Sequence, residues 1–105
     1  MTVGSVFEAL ADPTRRAVVE TLSHRPHRAG ELAQKVGVTP QALSRHLRVL
    51  RASDLVDGHQ SNDDYRVRIY ALRQERLEDL RSWLEDMRGF WADQLVSLQK
   101  EVEEG

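Results

Sequence analysis

The sequence predicts a mainly α-helical fold, a winged helix-turn-helix of about five helices and a two-stranded β-hairpin wing. Three observations carry that expectation. Two short amphipathic helices meet at a glycine-containing turn around Gly37, which is the helix-turn-helix pattern. An alternating strand pattern with its own turn follows them directly. The rest of the chain then returns to one long helix with apolar residues near heptad spacing.

Each element has a local cause. Val3, Val6, Phe7 and Leu10 recur at i, i+3, i+4 and i+7, the stripe of a short amphipathic helix. Asp12-Pro13 supplies an N-cap and then proline at the first helical position, where a missing N–H costs nothing. A second helix is therefore predicted from about Pro13 to Ser23, burying Val18 and Leu22, with Pro26 beyond its end. Glu31, Leu32, Ala33 and Val36 predict a two-turn helix that Gly37 ends in the left-handed conformation. Thr39-Pro40 repeats the cap-then-proline signal, so the next helix runs from Pro40 to Ala52. Val38 and Leu43 occupy hydrophobic-staple positions, and Leu43, Leu47 and Leu50 line the buried side of that helix.

Leu55-Val56 opens one short strand. Tyr65, Val67, Ile69 and Ala71 alternate with Arg66, Arg68, Tyr70 and Leu72 to form a second, half-exposed one. Gly58 and the run Ser61-Asn62-Asp63-Asp64 supply turn chemistry between them. From about Gln74 to Glu103, Leu77, Leu84, Trp91 and Leu98 are spaced by seven, with Leu80 and Met87 at the matching second position. The series then shifts to Leu95 and Val102. Such a helix is more than about 40 Å long and outruns a domain of about 13 Å radius of gyration. Trp91, Leu95 and Leu98 need another surface to cover them, and a second copy of the chain supplies one; burial on the chain's own domain is the alternative.

Length and composition bound the function. The 105 residues fit a single domain, 1–105, in which about 74–103 serves dimerisation. No apolar run approaches a membrane span. The start Met1-Thr2-Val3-Gly4-Ser5 lacks the basic and apolar regions of a signal peptide, so a cytoplasmic protein is expected. Without cysteine, disulfides and thiolate metal sites are excluded. Net charge is −2, but it is unevenly distributed. Between Arg15 and Arg51, eight cations face only Glu20 and Glu31, for +6, whereas the segment from Asp54 onward carries −6. That asymmetry predicts a basic working surface, which chance clustering would also produce.

On the helix from Pro40 to Ala52, the three leucines leave Gln41, Ser44, Arg45, Arg48 and Arg51 variously outward. Such a helix enters the major groove of double-stranded DNA with its first residues against base edges. Gln41 and Arg45 are the side chains able to read a base through two hydrogen bonds, Gln to adenine and Arg to guanine. Thr39 and Ser44 suit a base edge or a phosphate, and Arg48 and Arg51, farther along, suit phosphate. Arg66 and Arg68 share one face of the wing strand and can flank the backbone or minor groove. A solvated helix face is the plainer reading of the same residues. His24 and His27 flank Pro26 and are expected to be solvated; His46 is expected to be packed or hydrogen-bonded, and His59 lies near the wing. Their spacing offers no converging metal ligands, and neither metal nor cofactor is expected. No phosphate loop, nucleophile motif or acid–base pair suggests an enzyme.

Three segments carry a family resemblance: Phe7-Glu8-Ala9-Leu10-Ala11-Asp12-Pro13-Thr14-Arg15-Arg16, Gly30-Glu31-Leu32-Ala33, and Ser44-Arg45-His46-Leu47-Arg48-Val49-Leu50-Arg51. With Tyr70-Ala71-Leu72 of the hairpin, they resemble the ArsR/SmtB family of bacterial winged helix-turn-helix repressors over roughly residues 3–100. The resemblance implies an all-helical core with a two-stranded wing, a homodimer made by the first and last helices, and repression relieved by an unspecified ligand or signal. Candidate interface residues are then Val3, Phe7, Leu84, Met87, Trp91, Leu95 and Leu98. The chain departs from metal-sensing members: it has no Cys, and no His after His59, so neither familiar site type is present. Arg28 stands where such proteins often place a Ser or Thr N-cap; it cannot cap, but it can reach a phosphate. A sequence-specific regulator acting on an inverted-repeat operator is the expectation. A winged-helix module for a protein partner, or a metal-responsive repressor, are the alternatives.

Overall fold

The computed structural model describes residues 3–104. Met1 and Thr2, the first residues of the stretch expected to lack a signal peptide, lie outside the described residues, as does Gly105. Helix α1 (Val3–Leu10) buries Val6 and Ala9. Helix α2 (Pro13–Leu22) begins at Asp12, whose extended backbone (φ −84°, ψ 129°) lets Oδ1 accept the amides of Thr14 at 2.8 Å and Arg15 at 3.0 Å. That cap satisfies N–H groups the helix cannot.

Strand β1 (His27–Arg28) leads into α3 (Ala29–Val36). Gly37 (φ 80°, ψ 40°) turns the chain there, and the Val38 amide returns to the Ala33 carbonyl at 3.1 Å. Helix α4 (Pro40–Ala52) starts where Thr39 Oγ1 accepts the Ala42 amide at 3.1 Å. Its other end is a Schellman turn around Asp54, a non-glycine residue at φ 57°. The Asp54 amide bonds the Arg51 carbonyl at 3.0 Å and the Leu55 amide bonds that of Leu50 at 3.0 Å. Leu50 and Leu55, the hydrophobic pair of that motif, are both fully buried.

Strands β2 (Val56–Gln60) and β3 (Arg68–Leu72) form the wing, with Gly58 opposite Tyr70. The sheet has three strands in the order β1-β3-β2, all antiparallel, not the expected two. The extra strand pairs His27 with Tyr70 and Arg28 with Ile69. Two residues show no period of their own, and their partner lies far along the chain. Two further expectations are corrected here. Gly58 is a strand residue rather than turn chemistry, because it pairs with Tyr70 across the hairpin, and a Cβ there would sit 2.7 Å from Tyr70 Cε1. The second strand opens at Arg68 rather than Tyr65, because Arg66 and Val67 close a turn onto Asp64.

Leu32, Leu43, Leu50, Leu55, Val18 and Val56 form the driest part of the core, joining α2, α3, α4 and the wing. Helix α5 (Gln74–Glu104) lays only Leu77 and Leu80 against it. The remainder projects, so the described residues measure 69 × 24 × 22 Å with a radius of gyration of 18.9 Å.

Candidate nucleic-acid interface

Helix α4 is held from beneath. Leu43, Leu47 and Leu50 are buried, while Gln41, Ser44, Arg45, Arg48 and Arg51 are exposed. Among the described residues, Arg45, Arg48 and Arg51 have no ion pair or side-chain hydrogen bond. Three unneutralised guanidinium groups on one anchored helix form a rigid cationic face, with Thr39 exposed at its leading end. His46 lies half-buried on the flank, its Nδ1 3.4 Å from Arg15 Nη1 and 4.0 Å from Asp12 Oδ1, which ties α4 to the α1–α2 corner. The Arg15 amide above all, then the Thr14 amide and the nearby His46 and Arg15, hold the Asp12 carboxyl below its ordinary range.

The rest of the basic segment is not all available. Arg15 Nε donates to the Ala9 carbonyl at 2.6 Å and Nη2 to Glu8 at 3.2 Å, while Arg16 Nη1 donates to Leu10 at 2.9 Å and Ala11 at 3.1 Å. Both therefore close the carboxyl end of α1, whose last carbonyls lack helical partners. Arg25 is engaged bidentately by Glu31, at 3.2 and 2.8 Å. Three of the described cations that face solvent without a carboxylate partner, Arg45, Arg48 and Arg51, lie together on α4, with Arg28 and Arg68 exposed at the sheet.

The wing is arranged differently from the sequence expectation. Asp64 accepts from Arg66 at 3.1 Å (Nε) and 3.2 Å (Nη2), and also from the Arg66 amide at 3.0 Å. The Arg66 guanidinium is the main cause that holds the Asp64 carboxyl low, and the field of Arg28 adds to it. The carboxylate thus partners the very cation assigned to phosphate. The spacing of Asp64 and Arg66 by two was the available signal for this pair.

Comparison with known proteins agrees with this geometry. A family described as a helix-turn-helix domain matches residues 10–59. The HTH-type transcriptional regulator Rv2034 of Mycobacterium tuberculosis is 40% identical over 90 residues, which is 86% of this chain and 78% of that protein. The transcriptional repressor SdpR of Bacillus subtilis is 27% identical over 82 residues, 78% of this chain and 88% of that protein. An ArsR-like transcriptional regulator from Rhodococcus sp. RHA1 has a TM-score of 0.84 at 30% identity, covering 100% of this chain and 99% of that one. The chain belongs to the ArsR family. It is a DNA-binding transcriptional regulator with the mainly helical winged fold of that family.

For an ArsR-family regulator, two further features of this chain bear on function. Val3 and Met87 are half-buried, whereas Phe7, Leu84, Trp91, Leu95 and Leu98 are exposed, Trp91 and Leu95 at 61% each. Phe7 meets Trp83 edge-to-face, with centroids 5.2 Å apart, so the exposed aromatic of α1 packs on the near part of α5. The histidines differ from expectation in one case. His27 is only 2% exposed, not solvated, with Nδ1 2.7 Å from the Arg25 carbonyl and Nε2 3.2 Å from Lys35 Nζ. Pairing of β1 with β3 draws it inward. Among the described residues no three His, Asp or Glu side chains gather as a metal site requires, and no helix is long and apolar enough to cross a membrane.

Proposed function

We propose that the protein is a repressor that acts as a cytoplasmic homodimer on an inverted-repeat operator, without enzymatic activity. The observation that carries this reading is the exposed, unpaired cationic face of α4 above three buried leucines. In this scheme Gln41 and Arg45 read base edges. Thr39 and Ser44 contact base or phosphate, and Arg48, Arg51, Arg28, Arg66 and Arg68 hold the backbone. Repression is supported by the likeness to SdpR, a transcriptional repressor.

Dimerisation is supported by the apolar surface of Phe7, Leu84, Trp91, Leu95 and Leu98, which a single domain leaves in water. A two-fold pair sharing the helical domain 1–105 and its projecting α5 would present two copies of α4 to one duplex. Half-sites should then lie about one helical turn, or a multiple of it, apart. Footprinting of the protein on the DNA upstream of its own gene tests the scheme. Two protected, symmetry-related half-sites are expected. Equal affinity for one half-site and for two would contradict the dimeric mode.

A further inference from the structure

Between the end of α2, β1 and α3 lies a cavity of about 540 Å³ lined by Glu20, Thr21, His24, Arg25, His27 and Lys35. None of its walls comes from α4 or from the β2–β3 hairpin, so its contents do not compete with DNA at the cationic face. His27 is only 2% exposed, and both of its ring nitrogens are engaged. A carbonyl only accepts, so Nδ1, 2.7 Å from the Arg25 carbonyl, carries the proton. Nε2 of the neutral ring is then an acceptor, and Lys35 Nζ donates to it at 3.2 Å.

Lys35 is thus an ammonium whose partner brings no charge. Among the described residues no carboxylate forms an ion pair with it, and Glu31 of the same helix is taken by Arg25. Arg25 keeps more N–H groups than Glu31 and Pro26 accept, and His24 is exposed on the same wall. Glu20 is the carboxylate of the lining, and it opposes an anion. The contact between Lys35 and His27 also joins two working parts of the fold. Lys35 stands in the last turn of α3, just before the Gly37 turn into α4. His27 pairs with Tyr70 of β3, the wing strand. Their bond ties the wing sheet to the end of α3 that launches α4.

We propose that this cavity is an effector site for a small oxyanion, a phosphate or carboxylate group, whose binding draws Lys35 off His27 and weakens the hold on the operator. An ammonium bonds a charged oxygen more strongly than a neutral imidazole nitrogen, so the anion favours the arrangement in which Lys35 has turned to it. Nε2 is then a buried acceptor without a partner, which is costly. Strand β1 is only two residues long and yields to let water reach the ring. The wing sheet and α3 lose their tie, and operator affinity falls by as much as the anion favours that arrangement. The effect on the operator rests on the repressor reading; binding of the anion does not.

The test titrates the full chain with inorganic phosphate, and separately with succinate, at an ionic strength held constant with chloride. The ring nitrogens of His27 are followed by NMR, and operator affinity is measured in parallel. A saturable shift of the His27 resonances is expected with at least one anion, together with a loss of operator affinity of about fivefold or more. Whichever anion acts at the lower concentration identifies the group the site prefers. Lys35→Gln, which keeps a donor for Nε2, should abolish both effects while melting as the wild type does. Glu20→Gln should tighten anion binding by removing a repelling charge. A shift that grows linearly with anion and survives in Lys35→Gln marks an adventitious ion only and overturns the site. A loss of operator affinity that Lys35→Gln retains does the same, since the anion then competes at α4. Saturable binding with operator affinity unchanged overturns the effector role. If the anion-free protein binds no operator, the repressor reading fails instead, and the His27 titration still decides the anion site.

Discussion

Asp12 shows how much one residue can organise: it caps α2, lies beside His46 of α4, and adjoins the arginines that close α1. Its carboxyl is held below the ordinary value of 3.8, so it favours folding above that pH and loses its contribution as pH falls through the lowered value. Asp12→Asn should make acid unfolding less steep in thermal melts between pH 5 and pH 2, while lowering the midpoint at neutral pH; a wild-type-like acid profile would remove Asp12 from the account. At Gly58, a methyl group must displace the buried Tyr70 ring, and Gly58→Ala should cost about 1–3 kcal/mol in denaturant unfolding. Arg45→Ala should weaken operator binding by about 1–3 kcal/mol while sparing random DNA. Equal weakening on both would make Arg45 a phosphate contact. Arg45 was legible from its place on α4 because a helix period fixes the face. The engagement of Arg15 and Arg16 was not, since a side chain folding back on a preceding helix leaves no periodic trace.

Among the elements, the helices were legible because their ends are chemically marked. Asp12-Pro13, Thr39-Pro40 and Gly37 each do in the structure what such residues do locally. Strand β1 was hidden because its hydrogen bonds are made to β3, a tertiary partner, and with it went the burial of His27. The turn at Asp54 was also missed, since an aspartate at φ 57° takes a conformation more often marked by glycine. The wing tip yields an element-scale prediction. Asp64 engages Arg66 in a double contact, so a phosphate must compete with it. Asp64→Asn keeps the acceptor for the Arg66 amide but removes the charge, and should tighten binding to both operator and random duplex. Arg66→Ala should weaken both and make the salt dependence shallower by about one ion. Identical salt slopes for Arg66→Ala and the wild type would exclude this arginine from the backbone contacts.

At the scale of the molecule, the decisive feature is the projection of α5. The heptad spacing made the long helix and its apolar face legible, whereas the arrangement of a partner on that face is a property of two chains. Trp91, Leu95 and Leu98 lie on a surface that the described chain does not cover. Leu95→Asp should yield a monomer in sedimentation, with a melting temperature that no longer rises with protein concentration. An unaltered dimer would move the interface elsewhere. The central claim, that an anchored cationic helix is presented to DNA, is tested most directly by titrating the intact protein against duplex DNA at increasing salt. Tight binding at low salt, a steep linear fall of log K with log salt, and a lasting preference for an inverted repeat over random sequence are predicted. No binding at low ionic strength, or an affinity indifferent to salt, would contradict it.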